Sequence, residues 1–349
     1  MTYCVGWKYR DAVFLLADTA VTKNAQPSTS HSSFGQLHAE VRGEHVEEGL
    51  LKLVPLNSGT VAAFAGDVEL ATSCLEFIYG QMDAGTSLHD VCNALTISLG
   101  PFPEERPVDI LIAFTDQEGL CELVHWNSSL GLDPTESDWY QTGSLTSYHA
   151  DLTPALLSLF VSGSLDTERM LPVASAIVQS YGIHHDLISM NVGGLVFGAQ
   201  SRLGSVTWQP DTNYFIYSLD FSFRGIITAI ARDNTLVVSS SITDDTRVFG
   251  HTISMPRQDL WTQDWVERSK REIDSGLSPL WVFISTAGRV ITIIFRSDVN
   301  KDSRYVKFQN LGGGKFDIGL SPDLMALLQQ PLYDRNDGSL PFRLNVRNE

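Results

Sequence analysis

Short apolar runs recur in pairs through the first two hundred residues, and polar turns join the two members of each pair. Runs of this length that are rich in β-branched and aromatic residues, and bounded by Gly, Asn, Asp or Ser, are typical of antiparallel hairpins. We therefore predict hairpins within residues 5–17, 50–65 and 108–126, and further strands at 192–197 and 205–208.

Between the hairpins the apolar residues change to a helical spacing. Residues 70–78 and 88–95 place apolar side chains three and four positions apart, and residues 87–90 fit a capping box. Two more helices are predicted at 153–161 and 167–181. Paired helices between blocks of hairpins argue against a parallel βαβ sheet and favour two antiparallel sheets between helix layers.

Two parts of the chain depart from this order. Residues 22–47 are dominated by Ser, Thr, His, Gln and Glu, which predicts a long polar surface insertion. Residues 219–349 predict a β-rich C-terminal extension to a domain at 1–218. The extension has strand-like runs at 225–231, 235–240 and 281–295. It also has one amphipathic helical pattern, at 260–273.

The charge balance limits the class of partner. Lys and Arg number 24 against 41 Asp and Glu, so the formal net charge is −17. Nucleic acids and anionic membranes attract basic surfaces, and neither is therefore expected as the main partner. Hydrophobic residues make up 43%, which is enough for a substantial core.

Cysteine content and hydropathy predict a cytoplasmic protein. The four cysteines show no C-x-x-C pair, and we expect reduced, packed thiols. No run of 18 apolar residues is present to span a membrane. The chain does not begin with the basic and then apolar pattern of a secretory signal.

Motifs for phosphate or metal binding are weak. The glycines of residues 312–315 are followed by Phe316, where a phosphate-binding loop needs Ser or Thr. His31, His38 and His45 lie in the polar insertion, and His184 and His185 are adjacent on a loop, which favours surface positions over ligation. No cofactor and no metal are predicted.

The start of the chain carries a candidate nucleophile. A small residue after Met1 normally permits removal of the initiator methionine, which would leave Thr2 with a free α-amine. The pKa of an α-amine lies near 7.7–8.0, so a useful fraction is neutral at physiological pH. The amine can then accept the proton of its own residue's hydroxyl, and nucleophile and base share one residue.

The run MTYCVG at residues 1–6, followed by a strand that ends in Ala17 and Asp18, resembles the start of a proteasome-type β-subunit. It is similar in style to the bacterial Anbu group and to the HslV peptidase, all of them N-terminal nucleophile hydrolases. The resemblance covers roughly residues 2–218 and implies an α+β fold, a four-layer αββα sandwich. It also implies a threonine peptidase.

The resemblance assigns three catalytic roles. Thr2 takes the position of the nucleophile, Asp18 that of the acid and Lys52 that of the lysine. A nearby ammonium lowers the pKa of both hydroxyl and amine, because positive charge favours the developing alkoxide. The carboxylate would keep that lysine charged and correctly placed.

Four further positions follow from the same resemblance. Gly66, fourteen residues after the lysine, would offer its backbone N–H to the oxyanion. Ser144 matches the serine of a Gly-Ser-Gly motif. Asp186 and Ser189, spaced D-x-x-S, match the pair that supports the terminal amine.

Three departures from the family pattern are visible. Ala20 stands where an arginine usually braces the acidic group. Asp67 replaces a second glycine and is expected to add negative charge near the oxyanion position. Leu145 replaces the last glycine of Gly-Ser-Gly.

By the same correspondence, the wall that receives the substrate side chain consists of Val21, Leu50, Phe64 and Val68. These apolar residues predict a preference for hydrophobic side chains before the scissile bond. The backbone of Thr22 would pair with the extended peptide as an added strand. Core packing is the alternative explanation for the apolar residues.

The family resemblance also implies partners. Its members form rings or helical stacks, so a homo-oligomer and a peptide or unfolded-protein substrate are expected, together with an ATP-dependent unfoldase by analogy. Three functions remain open from the sequence. They are a threonine peptidase, an amidohydrolase acting on a small amide, and a non-catalytic assembly subunit.

Overall fold

The protein is seen in a computed structural model, which describes residues 2–26, 31–35, 37, 39–41, 43–83, 86–143, 152, 156, 167–218, 223–232, 235–242, 251–254, 280–285, 290–295, 306–312, 315–323 and 343–348. Within these ranges the fold is mixed α and β, with several antiparallel sheets, three helices and a majority of strand residues.

The bounds of the elements follow in chain order. The helices are α1 (Val68–Asp83), α2 (Leu88–Leu99) and α3 (Thr167–His185). The strands are β1 (Tyr3–Tyr9), β2 (Ala12–Asp18), β3 (Ala20–Lys23), β4 (Ala39–Val41), β5 (Glu44–Glu48), β6 (Leu53–Asn57), β7 (Thr60–Gly66), β8 (Val108–Thr115), β9 (Cys121–Asn127), β10 (Gly131–Leu132), β11 (Trp139–Gly143), β12 (Val196–Arg202), β13 (Ser205–Trp208), β14 (Thr212–Tyr217), β15 (Phe223–Arg232), β16 (Thr235–Ile242), β17 (His251–Ser254), β18 (Leu280–Ser285), β19 (Val290–Phe295), β20 (Val306–Gly312), β21 (Lys315–Leu320) and β22 (Arg343–Asn348).

Two sheets contain the predicted hairpins. Sheet I has the strand order β11-β1-β2-β12-β13 and sheet II the order β10-β9-β8-β7-β6, and neighbouring strands in both are antiparallel. The hairpins predicted within 5–17, 50–65 and 108–126 are confirmed as β1–β2, β6–β7 and β8–β9. Two-residue alternation along these strands gives each sheet two distinct faces.

Sheet II is covered on both faces. Ala62 and Phe64 of β7 lie in a buried cluster with Ala71 and Cys74 of α1. Ala63, the residue between them in sequence, belongs to the other cluster, which includes the strands of sheet I. Because successive side chains of a strand point to opposite faces, helices cover one face of sheet II and the main core covers the other.

Helix α3 is buried around its whole circumference from residue 170 to residue 182. It contacts β2 and β12 of sheet I and also β18 and β19 of a further sheet. A helix that is buried on all sides must be covered by other elements on all sides. The helix predicted at 167–181 is therefore confirmed, and sheets pack against it from more than one side.

The further sheet, sheet III, has the order β17-β16-β15-β14-β18-β19-β22 among the described residues. The pairs β14–β18 and β19–β22 are parallel, and the other neighbours are antiparallel. Strand β14 belongs to the first 218 residues, so the predicted division between 1–218 and 219–349 falls inside one sheet. Strands β20 and β21 form a separate pair.

The polar insertion is more structured than its composition predicted. Strands β3, β5 and β4 form a small antiparallel sheet. Ser32 and Ser33 are 0% exposed, and Phe34 packs edge-on against Tyr214 with ring centroids 5.7 Å apart. The expectation of a surface position is therefore wrong for these three residues, because their contacts with the core outweigh the polar composition around them.

Some predictions fall outside the described residues. Of the helix predicted at 153–161 only residue 156 is described, and it is helical. The amphipathic pattern at 260–273 lies wholly outside. Helix α3 ends at His185, four residues beyond the predicted end at 181. In the described ranges no helix is long and apolar enough to cross a membrane.

Candidate active site

The first hairpin brings Thr2 next to Asp18. Strands β1 and β2 are paired in a register that sets Cys4 opposite Ala17, so the start of β1 meets the end of β2. The backbone N–H of Tyr3 donates a hydrogen bond of 3.2 Å to Asp18 Oδ1. Thr2 itself is 3% exposed. The predicted nucleophile and the predicted acid are thus separated by one peptide group.

Lys52 completes a buried charged group. Its Nζ lies 2.6 Å from Asp18 Oδ1, and the two side chains are 3% and 1% exposed. The Lys52 carbonyl accepts the N–H of Phe64 at 3.2 Å, which ties the lysine to β7 of sheet II. Since Nζ and the Tyr3 nitrogen bond the same oxygen, they can be no farther apart than the two bond lengths together. The structure therefore brings Thr2, Asp18 and Lys52 into one site.

The other oxygen of Asp18 is also satisfied. Gly193 donates its backbone N–H to Asp18 Oδ2 at 2.8 Å, and Thr19 donates its own N–H to the Gly193 carbonyl at 3.3 Å. A buried ion pair is stable only when further hydrogen bonds compensate for the lost hydration. Two backbone donors and one ammonium meet that requirement and hold the carboxylate in one orientation.

Gly143 packs directly on the backbone of the candidate nucleophile. It is paired with Tyr3 across β1 and β11, and its φ is +107°. A Cβ added there would lie 1.8 Å from the carbonyl oxygen of Thr2, so only glycine fits. Ser144, the next residue, lies outside the described residues, and its predicted role stays a prediction.

Gly66 occupies the end of β7 with a φ of +101°. An added Cβ would approach the Pro107 carbonyl oxygen to 1.9 Å, which again requires glycine. Gly66 is exposed, unlike the six residues before it in the strand. Strand β7 therefore reaches solvent at Gly66. This position lies two residues from Phe64, whose backbone N–H is bonded to the Lys52 carbonyl.

The negative charge of Asp67 is compensated locally. Arg106 Nε donates to Asp67 Oδ2 and Arg106 Nη2 to Oδ1, both at 2.7 Å. Asp67 Oδ1 also accepts the N–H of Leu70 at 2.9 Å, so this carboxylate caps the start of α1. The hydrogen bond from Arg106 holds the pKa of Asp67 below its usual value, although partial burial opposes this. Asp67 therefore caps helix α1, and its charge is paired with Arg106.

The predicted pair Asp186 and Ser189 lies at a short 3-10 turn after α3. Both residues are exposed, and the Ser189 hydroxyl donates to the Asp186 carbonyl at 2.7 Å. Ile188 between them is buried against Ala20 and Val46, which anchors the turn to β3 and β5. Among the described residues, the hydrogen bonds of this pair are local, and none joins it to Thr2.

The predicted substrate wall is partly core. Phe64 is 1% exposed in the cluster beneath α1 and α2, and Leu50 and Val68 are half-buried against the same cluster. Val21 and Thr22 are half-buried on β3. Core packing therefore accounts for Phe64, whereas the other four keep exposed surface that a ligand could contact.

Cys4 lies beside the site without the properties of a nucleophile. Its Sγ donates to the Phe64 carbonyl oxygen at 3.3 Å. Burial raises the pKa of the thiol far above its ordinary value, Lys52 opposes this rise, and Asp18 adds to it. A neutral, buried thiol is unreactive. The candidate nucleophile is accordingly Thr2.

The sequence did not point to Gly193 or Arg106 as parts of this site. Gly193 contributes through its backbone N–H, and a backbone donor leaves no pattern of side-chain types in the sequence. Arg106 lies 39 positions from Asp67, and no local spacing joins them. In the described ranges, His, Cys, Asp and Glu form no group of three that could hold a metal ion.

No protein-family model matches this chain, and no curated protein is significantly similar to it. The chemical interpretation therefore depends on the contacts of the described residues.

Proposed function

We propose that the protein is a threonine-type peptidase of the proteasome β-subunit kind, with Thr2 as its N-terminal nucleophile. The observation that carries the proposal is the Asp18 carboxylate, whose Oδ1 accepts both Lys52 Nζ at 2.6 Å and the Tyr3 N–H at 3.2 Å. A buried ammonium is costly unless it is paired, and Lys52 meets that requirement through Asp18 at the end of β2, next to Thr2.

The proposed reaction begins once Met1 is removed. The Thr2 amine takes the hydroxyl proton while Oγ attacks the carbonyl carbon of a peptide bond. The Gly66 N–H would stabilise the resulting oxyanion, a contribution of about 2.7–4 kcal/mol for one such donor. The amine then delivers the proton to the leaving nitrogen, and water hydrolyses the Thr2 ester to release the acid and restore the hydroxyl.

Lys52 and Asp18 would act on Thr2 without forming covalent bonds. Positive charge near the hydroxyl favours its deprotonated form and lowers its pKa in the transition state. Asp18 keeps that charge in place, since the carboxylate is itself fixed by Tyr3 and Gly193. The half-buried residues Val21, Leu50 and Val68 support a preference for hydrophobic substrates.

The packing of the elements supports a four-layer αββα arrangement. Helices α1 and α2 cover sheet II, the main core joins sheet II to sheet I, and α3 packs on sheet I. This order of layers matches the αββα sandwich of N-terminal nucleophile hydrolases, although a fold alone does not establish an activity. We also propose a homo-oligomer that encloses the sites, fed by an ATP-dependent unfoldase.

The test uses intact mass and a covalent probe. We expect the purified chain to lack Met1 and to gain the mass of an epoxyketone or β-lactone, with the adduct mapped to Thr2. The matched variant Thr2→Ala should lose the adduct while keeping its unfolding temperature, whereas Thr2→Ser should retain it.

Two results would contradict the proposal. Retained Met1 with no adduct would favour the non-catalytic assembly subunit, because an acylated nitrogen cannot act as the base. An adduct on Thr2 without cleavage of any peptide in a panel with varied side chains would favour an amidohydrolase for small amides. Fastest cleavage after charged residues would contradict the hydrophobic preference.

A further inference from the structure

A second buried carboxylate lies next to the proposed site. Glu48, at the end of β5, is 8% exposed. Its Oε2 accepts the backbone N–H of Ser33 at 2.7 Å and the Ser33 hydroxyl at 2.6 Å. Its Oε1 accepts the Leu195 N–H at 2.5 Å and lies 3.3 Å from the Thr19 hydroxyl. We call Thr19, Ser33, Glu48 and Leu195 the Glu48 cluster.

The Glu48 cluster fixes the same short segment that holds Asp18. The Thr19 hydroxyl lies 2.8 Å from the Leu195 carbonyl oxygen, and the Thr19 N–H reaches the Gly193 carbonyl. Gly193 in turn donates to Asp18 Oδ2. The position and orientation of the Asp18 carboxylate therefore depend on the backbone at Gly193. Glu48 anchors that backbone at Leu195, two residues further along the chain.

Steric fit makes this anchoring tight. Gly194 lies between Gly193 and Leu195 with a φ of +70°, and an added Cβ would lie 2.9 Å from Thr19 Oγ1 and 3.1 Å from Glu48 Cβ and Cγ. From the other side, Gln179 of α3 donates to the Gly194 carbonyl and accepts the Val196 N–H, each at 2.9 Å. The segment 193–196 is thus held between Gln179 and the Glu48 cluster.

An ionised carboxylate suits this position. It offers about four acceptor sites and no donor, and three N–H or O–H donors converge on it together with the Thr19 hydroxyl. A side chain of the same shape with an amide in place of one oxygen would direct N–H groups at N–H or O–H donors. Two buried donors that face each other are costly, so either the Ser33 segment or the Leu195 segment must move away.

We infer that Glu48 is a positioning residue of this site: it fixes the backbone of residues 193–195, and through it Asp18 and Lys52, and it ties them to the Ser33 segment of the insertion. The inference rests on the proposed function for the reaction that is served. It assigns the insertion a role in the site, although the insertion contributes no reacting group. It also supplies a brace at a site where Ala20 replaces the expected arginine.

The test compares Glu48→Gln with the matched control Glu47→Gln. Glu47 is the neighbouring buried carboxylate, and its Oε1 pairs with Lys23. Two quantities are measured in each protein. One is the hydrogen-exchange rate of the amides at 191–196, and the other is the β-lactone reaction at Thr2, separated into its limiting rate and its half-saturating concentration.

For Glu48→Gln we expect faster exchange at Gly193 and Leu195 and a limiting rate lowered by about 10- to 100-fold, the scale expected for a small misplacement of reacting groups. The half-saturating concentration should stay within about twofold, since no substrate contact is removed. Glu47→Gln should leave both quantities near the wild-type values. If Glu48→Gln fails to fold, Ser33→Ala, which removes one donor, should show the same pattern at smaller size.

Each other outcome has a definite meaning. Unchanged exchange at 193–195 in Glu48→Gln would overturn the anchoring, whether or not wild-type protein reacts. Faster exchange with an unchanged limiting rate would overturn the role in positioning. A wild-type protein that lacks Met1 and never reacts would contradict the proposed function, and with it the claim that Glu48 serves that reaction.

Discussion

At the scale of single residues, the Lys52–Asp18 pair is the most informative feature, because its energetics can be measured without any substrate. The resemblance to proteasome-type β-subunits predicted both residues for the site from their positions in the sequence. What it could not provide is the set of backbone donors that completes the carboxylate, from Tyr3 and Gly193. Backbone N–H groups are common to all residues except proline, so no residue type signals their position.

The first prediction concerns an asymmetry within this pair. Asp18→Asn leaves the Lys52 ammonium buried without its carboxylate, and we expect a loss of about 3–5 kcal/mol of unfolding free energy. Lys52→Met should cost less, because Asp18 retains two backbone donors. The double variant should be more stable than the sum of the two losses predicts. Denaturant unfolding measures all three.

The matched control for that series is Lys23→Met. Lys23 also pairs with a buried carboxylate, Glu47, but its own side chain is 48% exposed. Exposed pairs contribute about 0–1 kcal/mol, so a small change is expected. Equal losses for Lys23→Met and Asp18→Asn would contradict the special position of the buried pair.

At the scale of elements, local patterns predicted the hairpins of sheets I and II from short apolar runs joined by turns, and the helices α1 and α2 from apolar residues three and four positions apart. They failed where burial depends on distant partners. Strand β5 has the sequence EHVEE, which is typical of an exposed strand, yet Val46, Glu47 and Glu48 are buried. Each has a partner distant in sequence. Val46 packs against Ile188, Glu47 pairs with Lys23, and Glu48 accepts the donors of the Glu48 cluster.

A prediction at this scale concerns the start of α1. The pKa of Asp67 in the folded protein is lowered mainly by the hydrogen bond from Arg106. The ionised Asp67 therefore stabilises the folded protein fully above the unfolded pKa, about 3.9, and this contribution is lost as the pH falls through the folded pKa. Asp67→Asn keeps a cap but lacks the charge. The difference in melting temperature between wild type and Asp67→Asn should therefore be largest above about pH 4 and shrink in acid.

Arg106→Gln provides the second arm of that experiment. It removes the main cause of the lowered pKa while leaving the Asp67 cap on Leu70. Its difference from wild type should shrink over the same acid range, and high salt should reduce it, because the guanidinium is exposed to solvent. A difference that stays constant from neutral pH to acid in both variants would show that Asp67 acts only as a cap.

At the scale of the whole molecule, the sequence underestimated how strongly the C-terminal part is joined to the rest. Strand β14 lies between β15 and β18, and its partner β18 begins more than sixty residues later in the chain. Parallel pairing over such a distance leaves no local signal, since the connection sets neither turn type nor register. Local patterns therefore do not predict the place of β14 in a sheet.

Truncation tests this connection. Tyr214 and Ile216 face the core that contains α3, and the Phe215 and Phe283 rings stack with centroids 4.9 Å apart. A chain that ends at residue 218 keeps β14 but loses both of its neighbours, so unpaired backbone groups and one buried side of α3 would face water. Each exposed large apolar side chain costs about 1.5–3 kcal/mol, and several such losses exceed the net stability of an ordinary domain.

We therefore expect the 1–218 chain to lose its cooperative thermal transition and to bind a hydrophobic dye, while the full chain unfolds cooperatively. Phe283→Ala in the full chain is the graded control: it removes one stacking partner of β14, should cost about 3–5 kcal/mol and should leave the transition cooperative. A 1–218 chain that melts cooperatively at the temperature of the full chain would establish residues 219–349 as a separable unit. A truncated chain that also reacted with the β-lactone would locate the whole chemistry before residue 219. The fold of the site would then not depend on the extension.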